Sequence, residues 1–512
     1  MPARILLATL NAKYIHASLG LRYLLANMER HGSAALRDAT VLREFTIHRA
    51  TQEIADDILQ ALGPPDGVQV LGLGVYIWNV PHTLALVRLL KALRPGIKVV
   101  LGGPEVSHET ADQEIVHRAD HVITGWGDVS FPRLCQALLF GPPPLMKIIP
   151  GEQPPLDDIA LPYAHYSETD LTQRVVYVEA SRGCPYQCAF CLSALDKTAW
   201  SFDLDRFLDA MAGLYARGAR NFKFVDRTFN LKMAHSVRIL QFFLDRLQAA
   251  PAQPLHLHFE LVPDHLPERL KALIVQFPPG VLQFEVGIQS WNPEVQARIQ
   301  RRQDNALAEA NLHWLRTHTP AHLHTDLIFG LPGETWQSFA DGFDRLWALR
   351  PQEIQLGLLK RLRGTPLAHA AADPAHAQWG MRYDRSPPYA VQQTAQLSAA
   401  QVQQFIRLAR YWDLVANSGR FGRTLERLLD GPSPFAAFAA FADWLWQTQG
   451  RTHRITPEDL VDALFDYLTG RCGVPADAAR DVLQADYRDS GARAAPRCLR
   501  PAPVASATRQ AL

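Results

Sequence analysis

The chain has 512 residues, about three times the 100 to 200 of a usual domain, which points to two to four domains and excludes a small module. With 47% hydrophobic and 20% charged residues, and 36 Pro and 31 Gly, it is neither globally disordered nor collagen-like. Fifty-two Lys and Arg against 51 Asp and Glu leave a net charge of +1, so no overall positive field argues for nucleic acid or an anionic membrane. The nearly apolar stretches at 67–78 and 435–446 fall short of the roughly 18 to 20 residues of a membrane-spanning helix. The N-terminal apolar run breaks at Asn11 and Lys13, too early for a signal peptide. A soluble, cytoplasmic protein with no membrane span is expected.

The first 140 residues alternate short apolar β-branched runs with amphipathic stretches. Strands are predicted at 3–9, 40–47, 68–75, 97–101 and 121–124, and helices at 19–31, 51–62, 81–93, 107–117 and 129–140. Strict alternation implies an α/β fold with a flavodoxin-like, doubly wound parallel sheet covered on both faces. Its ligand loops lie beyond the carboxyl ends of the strands: residues 11–20, 74–79, Gly102-Gly103-Pro104 and Thr124-Gly125-Trp126-Gly127.

Pro- and Gly-rich residues 141–170 read as a linker. A second β/α series then offers strands at 175–180, 221–225, 255–261, 281–287, 322–329 and 353–358. About 32 residues per unit is the size of a barrel repeat, and six units predict a partial (β/α)6 TIM-like barrel over 171–370, open on one side. Residues 371–490 read as a mostly α-helical C-terminal domain, with the aromatic residues around Tyr411 and Trp412 forming core. Residues 491–512, with four Arg and no acid, are expected to be disordered.

Three of the six cysteines fall in one short run after the first barrel strand, Cys184-Pro-Tyr-Gln-Cys188-Ala-Phe-Cys191. A strand-end loop is a poor place to bury three thiols, and none of Cys135, Cys472 or Cys498 sits at zinc-finger spacing. Three thiolates in a tight loop suit an iron-sulfur cluster with one iron left open. Cys135 is expected to be buried in a helix, and the scattered remainder leaves no second cluster.

The spacing of Cys184, Cys188 and Cys191, their place after strand one and Phe190 before the last cysteine resemble the radical SAM superfamily. The resemblance implies a [4Fe-4S] cluster held by the three cysteines. Its open iron chelates S-adenosylmethionine (SAM), which is cleaved to a 5′-deoxyadenosyl radical. Asp326-Leu-Ile328-Phe-Gly330-Leu-Pro-Gly333-Glu334-Thr335 resembles the strand-five segment that cradles adenine, and Glu285-Val-Gly287-Ile-Gln289-Ser290 the strand-four segment near ribose or methionine. Asp226-Arg-Thr228 sits after strand two, where the family contacts the methionine amino group. The resemblance thus makes Asp226, Thr228, Gln289, Ser290, Ile328, Gly330 and Glu334 candidate SAM contacts, with Glu260 and Asp264 weaker ones. Each also has a plain reading as a cap or helix start.

The pairing of such a barrel with an N-terminal five-stranded α/β domain resembles the cobalamin-binding branch of that superfamily. This resemblance implies cobalamin contacts at Asn11, His16, Tyr76, Gly102, Gly103, Pro104, Gly125 and Gly127. Asn11-Ala-Lys13-Tyr-Ile-His16-Ala-Ser18-Leu-Gly20 departs from the Asp-x-His-x-x-Gly motif that supplies a cobalt ligand, so cobalamin with an unligated or water-bound lower face is expected. The rival is a flavodoxin-like domain binding a nucleotide, which would prefer a Gly-rich turn after strand one.

The expected activity is methylation of an unactivated carbon by a cobalamin-dependent radical SAM methyltransferase. The alternatives are a cobalamin-containing radical SAM enzyme that cyclises, oxidises or rearranges its substrate, and a non-catalytic cobalamin or redox sensor. A methylthiotransferase is disfavoured because residues 1–134 contain no Cys. An electron donor such as flavodoxin or ferredoxin is the expected partner. No catalytic residue and no substrate is singled out.

Overall fold

The computed structural model describes residues 4–492, 494 and 496–500. The first sheet is built from β1 (Ile5–Asn11), β2 (Thr40–Thr46), β3 (Val70–Gly74), β4 (Lys98–Gly102), β5 (His121–Thr124) and β6 (Ile148–Pro150). All its pairings are parallel and the order is β2-β1-β3-β4-β5-β6. Every residue of β1 is buried, as a central strand covered by helices on both faces requires.

Two local readings change. β6 falls in the stretch read as linker: Val122 N donates to Lys147 O and Gly151 N to Thr124 O, and Pro150, having no N–H, closes the edge strand where no donor is missed. The helix expected at 107–117 breaks into the 3-10 turn Thr110–Asp112 and the short helix Glu114–Arg118. Glu109 is left-handed at φ +51, and the Gln113 amide donates to the carbonyls of Glu105 and His108 instead of facing solvent.

The second unit opens with β7 (Val176–Val178), followed by a small antiparallel pair, β8 (Ser181–Arg182) and β9 (Trp200–Ser201). Then come β10 (Asn221–Phe224), β11 (His256–Leu261), β12 (Leu282–Gln289), β13 (His322–Phe329) and β14 (Glu353–Leu358). With β7 they form one parallel sheet in the order β14-β13-β12-β11-β10-β7, so β7 and β14 are its edges and the (β/α)6 barrel is partial. Burial alternates strictly along β12 and β13. Phe284, Val286, Leu323, Thr325 and Leu327 pack toward the helices, while Glu285, Gly287, Gln289, His324 and Asp326 share the half-buried lumen face.

The C-terminal part carries the two-stranded β15 (Arg382–Tyr383) and β16 (Val391–Gln393), then helices Ala399–Val415, Gly422–Leu428, Pro434–Gln449, Pro457–Gly470 and Ala476–Asp489. Its aromatic residues are core: Trp412 and Tyr411 are fully buried, Phe405 stacks on Phe329 of β13 at 4.0 Å, and Trp412 Nε1 donates to Ile354 O of β14 at 2.9 Å. Barrel helices and C-terminal helices thus share one continuous apolar cluster. Of the tail from Gly491, the turn Arg497–Leu499 folds back on the helix Pro457–Gly470, with Arg497 paired to Asp466 at 2.7 Å. Residues 501–512 lie outside the described residues.

Two ionic joints tie the units together. Arg22 reaches Glu44 at 2.8 Å and Asp170 at 2.7 Å, and Arg174 joins both acids, all four side chains being buried. On the other side Glu105 and Glu109, in the loop after β4, pair with Arg363 and Arg361 after β14, and Tyr389 Oη donates to Glu105.

Candidate functional site

β8 and β9 bracket the loop that carries the cysteines. Gly183 begins it at φ +83, and an added Cβ there would lie within 2.8 Å of Ala199 N, Asp196 O and Thr198 Oγ1, so glycine is required. Cys184 N then donates to Asp196 O, and Cys191 N to Cys188 O. All three thiols are free, and they line one cavity of about 230 Å³ whose opposite wall is the lumen face of β11, β12 and β13. Burial raises the thiol pKa of Cys184 and of Cys188. At Cys188 this is opposed by Arg301, whose Nη1 lies 3.8 Å from Sγ and whose guanidinium also donates to Gly287 O. Among the described residues no three Cys, His, Asp or Glu come together tightly enough for a single metal ion. Three free thiols bordering one cavity, with a cation beside them to offset thiolate charge, fit a multi-iron cluster instead.

The floor of this cavity is ionic. Arg227 pairs with Glu260 at 2.7 Å, and Glu285 accepts from His258 Nε2 at 2.9 Å and Lys223 Nζ at 3.2 Å. His324 bridges Asp326 (3.2 Å) and Glu353 (2.7 Å). Burial opposes the charge on Glu285, but the His258 hydrogen bond and the Lys223 ammonium hold it down at about 2. Burial likewise opposes charge on His324, yet its two carboxylate partners raise it to about 10. Hydrogen bonds from His322 and His324 hold Glu353 at about 2. Burial pushes Asp326 up despite the His324 contact.

A second cleft, of about 280 Å³, opens over β3, β4 and β5 and the loops at their carboxyl ends, where such sheets bind ligands, with the helix Leu19–Arg30 along one side. Gly72, Gly74, Gly102 and Gly103 leave its floor as bare backbone, and Tyr76, Leu24 and Trp126 stand around it. Gly103, at φ +110, packs against Val75 so closely that a Cβ would sit 2.5 Å from Val75 O. A broad glycine floor ringed by aromatic and aliphatic side chains fits a large flat ligand, and Asn11-Ala-Lys13 offers no phosphate turn for a nucleotide.

The second cleft reaches the strand that leads into the cysteine loop. Arg182, two residues before Cys184, lines the second cleft and forms a forked pair with Asp128 (2.8 and 3.2 Å) while its Nε reaches Glu179 at 2.7 Å. Its guanidinium lies over the rings of Tyr23 (4.4 Å) and Trp126 (4.8 Å), and Trp126 Nε1 donates to Asp196 of the cysteine loop at 2.9 Å.

Of the expected SAM contacts, Thr228 and Gln289 border the cysteine cavity. Gln289 is left-handed at φ +69 and its buried Oε1 has no partner, the strained, unsatisfied state of a group that awaits a ligand. Asp226 sits behind the loop, accepting from Ala180 N at 3.0 Å and Ser181 Oγ at 2.5 Å, with burial raising it to about 7. Ser290 Oγ donates to Glu334, whose other oxygen is buried and unpartnered. Ile328 packs in a small apolar cluster with Phe190, and Gly330 gives way to Val391. Of the expected cobalamin contacts, Tyr76, Gly102, Gly103, Gly125 and Gly127 line the second cleft. Pro104 only starts the 3-10 turn after Gly103. Asn11 is tied to Glu44 and His16 O, and His16 Nδ1 meets Tyr177 Oη of β7 at 2.7 Å, at the joint between units and outside the cleft lining. Sequence reasoning missed Arg301, which no periodicity marks, and the role of Arg182, whose one signal is a lone cation just before the cysteine run.

Comparison with known proteins agrees with this geometry. Residues 5–135 match the family described as B12 binding domain, and residues 178–346 the Radical SAM superfamily. The chain thus carries a B12 binding domain followed by a Radical SAM domain, and the cofactors of these domains are a [4Fe-4S] cluster, SAM and cobalamin. Its last part, residues 377–510, matches the family described as Protein of unknown function (DUF4080). It is 25% identical over 305 residues to 2-(S-pantetheinyl)-carbapenam-3-carboxylate methyltransferase of Streptantibioticus cattleyicolor, covering 54% of this chain and 44% of that protein. It is 27% identical over 329 residues to the cobalamin-dependent radical SAM methyltransferase TokK of Streptomyces tokunonensis, covering 58% and 46%. The chain thus spans a little under half the length of these curated relatives. Its fold is like that of the cobalamin-dependent S-adenosylmethionine radical enzyme OxsB with aqua-cobalamin bound, with a TM-score of 0.60 at 11% identity over 95% of this chain and 84% of that one. No helix among the described residues is long and apolar enough to cross a membrane.

Proposed function

We propose that this chain is a cobalamin-dependent radical SAM methyltransferase that methylates an unactivated carbon, working in the cytoplasm with an external electron donor. The observation that carries the reading is the presence in one chain of two distinct cavities, one bordered by Cys184, Cys188 and Cys191 and one floored by glycines, with Arg182 lining the second only two residues before Cys184. When bound, the cluster supplies the electron that cleaves SAM to a 5′-deoxyadenosyl radical and cobalamin serves as methyl carrier. Cys184, Cys188 and Cys191 hold the cluster, Arg301 offsets thiolate charge, and Thr228 and Gln289 orient SAM. Gly102, Gly103, Gly125 and Gly127 let the corrin approach backbone. The lumen carboxylates keep the cavity polar, with Glu260, Glu285 and Asp326 each facing a cation or imidazole. The two methyltransferases named above support methyl transfer, and six unpaired cysteines suit a reducing compartment.

The test is product analysis of anaerobically reconstituted protein with dithionite and candidate substrates. Methyl transfer predicts 5′-deoxyadenosine and S-adenosylhomocysteine in parallel. 5′-Deoxyadenosine alone would point to rearrangement or oxidation, and neither product from a reducible cluster would leave a cofactor-binding sensor.

A further inference from the structure

Near its start, the segment that matches the family of unknown function lies against the last strand of the barrel. Residues 389–391 run antiparallel to the stretch that leaves β14: Val391 N donates to Leu359 O and Arg361 N to Tyr389 O, both at 2.9 Å, with Lys360 and Ala390 paired between them. Tyr389 and Val391 are both buried, and neither lines the cysteine cavity or the glycine-floored cleft. Each instead touches a loop of one cavity. Tyr389 Oη donates to Glu105 at 2.7 Å and accepts from Arg363 Nη2 at 3.0 Å. Glu105 is buried two residues after Gly103, in a loop whose Ser107 Oγ donates to Gly103 O and accepts from Gly125 N. Its placement therefore bears on two glycines of the cleft. Tyr389 is held at φ +54, a left-handed conformation that persists where the surroundings over-determine it. Val391 packs with Ile328, Leu331 and Leu359 and with Phe190 of the cysteine loop. A Cβ on Gly330, at φ +90, would lie 2.6 Å from Val391 Cγ1, so Val391 fills the space beside the segment expected to cradle adenine.

We propose that Tyr389 and Val391 are positioning residues through which the C-terminal segment sets the two cofactor loops separately. Tyr389 holds the cobalamin loop by way of Glu105, and Val391 holds the adenine segment by way of Gly330. The segment of unknown function thereby takes a part in binding both cofactors without touching either. The inference rests on the reading of the two cavities as SAM and cobalamin sites.

The test uses the full-length protein reconstituted with iron and sulfide and kept free of reductant, so that binding is read without turnover. Hydroxocobalamin affinity is taken from the visible spectrum and SAM affinity from equilibrium dialysis, for the unmodified protein, Tyr389→Phe and Val391→Ala. Tyr389→Phe leaves Arg363 paired with Glu105 and should weaken hydroxocobalamin binding about fivefold, with SAM affinity unchanged. Val391→Ala should weaken SAM binding about tenfold, with hydroxocobalamin affinity unchanged. Both variants should hold as much iron as the unmodified protein. A part in folding alone would lower both affinities together, in step with Tm. That result, or any other departure from the crossed pattern, such as neither affinity changing, would overturn the proposal. Failure of the unmodified protein to bind hydroxocobalamin or SAM would instead strike at the cofactor reading itself.

Discussion

His324 is held between two carboxylates in the lumen, and its charge is linked to pH in a way that can be measured. Its folded pKa of about 10 exceeds the ordinary 6.5, so its contribution is complete below pH 6.5 and is lost as pH rises through 10. Glu353, held at about 2 against 4.5, contributes above pH 4.5 and loses its share as pH falls through 2. Glu353→Gln should therefore lower stability by about 2 kcal/mol, with the gap in Tm widest between pH 4.5 and 6.5 and narrowing toward pH 10. A gap constant from pH 3 to 10 would show that the lumen network does not bind as drawn. The positions 258, 285 and 324 were on view in the sequence at strand spacing. What the pattern left open is whether a polar alternate faces solvent or a lumen, because both give the same period of two.

The cysteine loop depends on the elements that flank it. Arg182 belongs to β8, and Asp128, Glu179 and the rings of Tyr23 and Trp126 close around it. Arg182→Met leaves Asp128 buried without its cation, which costs about 3 kcal/mol. It should weaken hydroxocobalamin binding and lower iron content together; a variant that titrates with cobalamin like the parent and holds its iron would show that Arg182 does not couple the cleft to the cysteine loop. Gly103→Ala, at φ +110 against Val75 O, should disturb cobalamin binding while leaving iron unchanged, as read by the visible spectrum and iron assay. The long strands and most helices of both sheets were legible because burial on two faces or one imposes continuous or alternating apolar runs. β8 and β9, of two residues each, carry no period, and β6 was masked by the prolines around it. The break at Glu109 arises from the Gln113 amide folding back on carbonyls, which no residue pattern announces.

Across the whole molecule the cobalamin domain is clamped to both edges of the open barrel, by Arg22, Glu44, Asp170 and Arg174 near β7 and by Glu105, Glu109, Arg361 and Arg363 near β14. Neither joint was legible in advance, since each pairs residues more than a hundred positions apart, and composition averaged their charges away. Glu109→Gln removes an acceptor shared by Arg361 and Arg363 and should split one calorimetric transition into two as the domains uncouple; a single unshifted transition would show that the joint carries no load. The central claim, that one chain holds a cluster on Cys184, Cys188 and Cys191 beside a separate cobalamin cleft, is tested most directly by metal analysis after anaerobic reconstitution with iron, sulfide and hydroxocobalamin. The account predicts about four irons and about one cobalt per chain, with Cys→Ala at all three positions abolishing the iron and retaining the cobalt. Iron unchanged in that variant, or no cobalt retained by the parent, would contradict it.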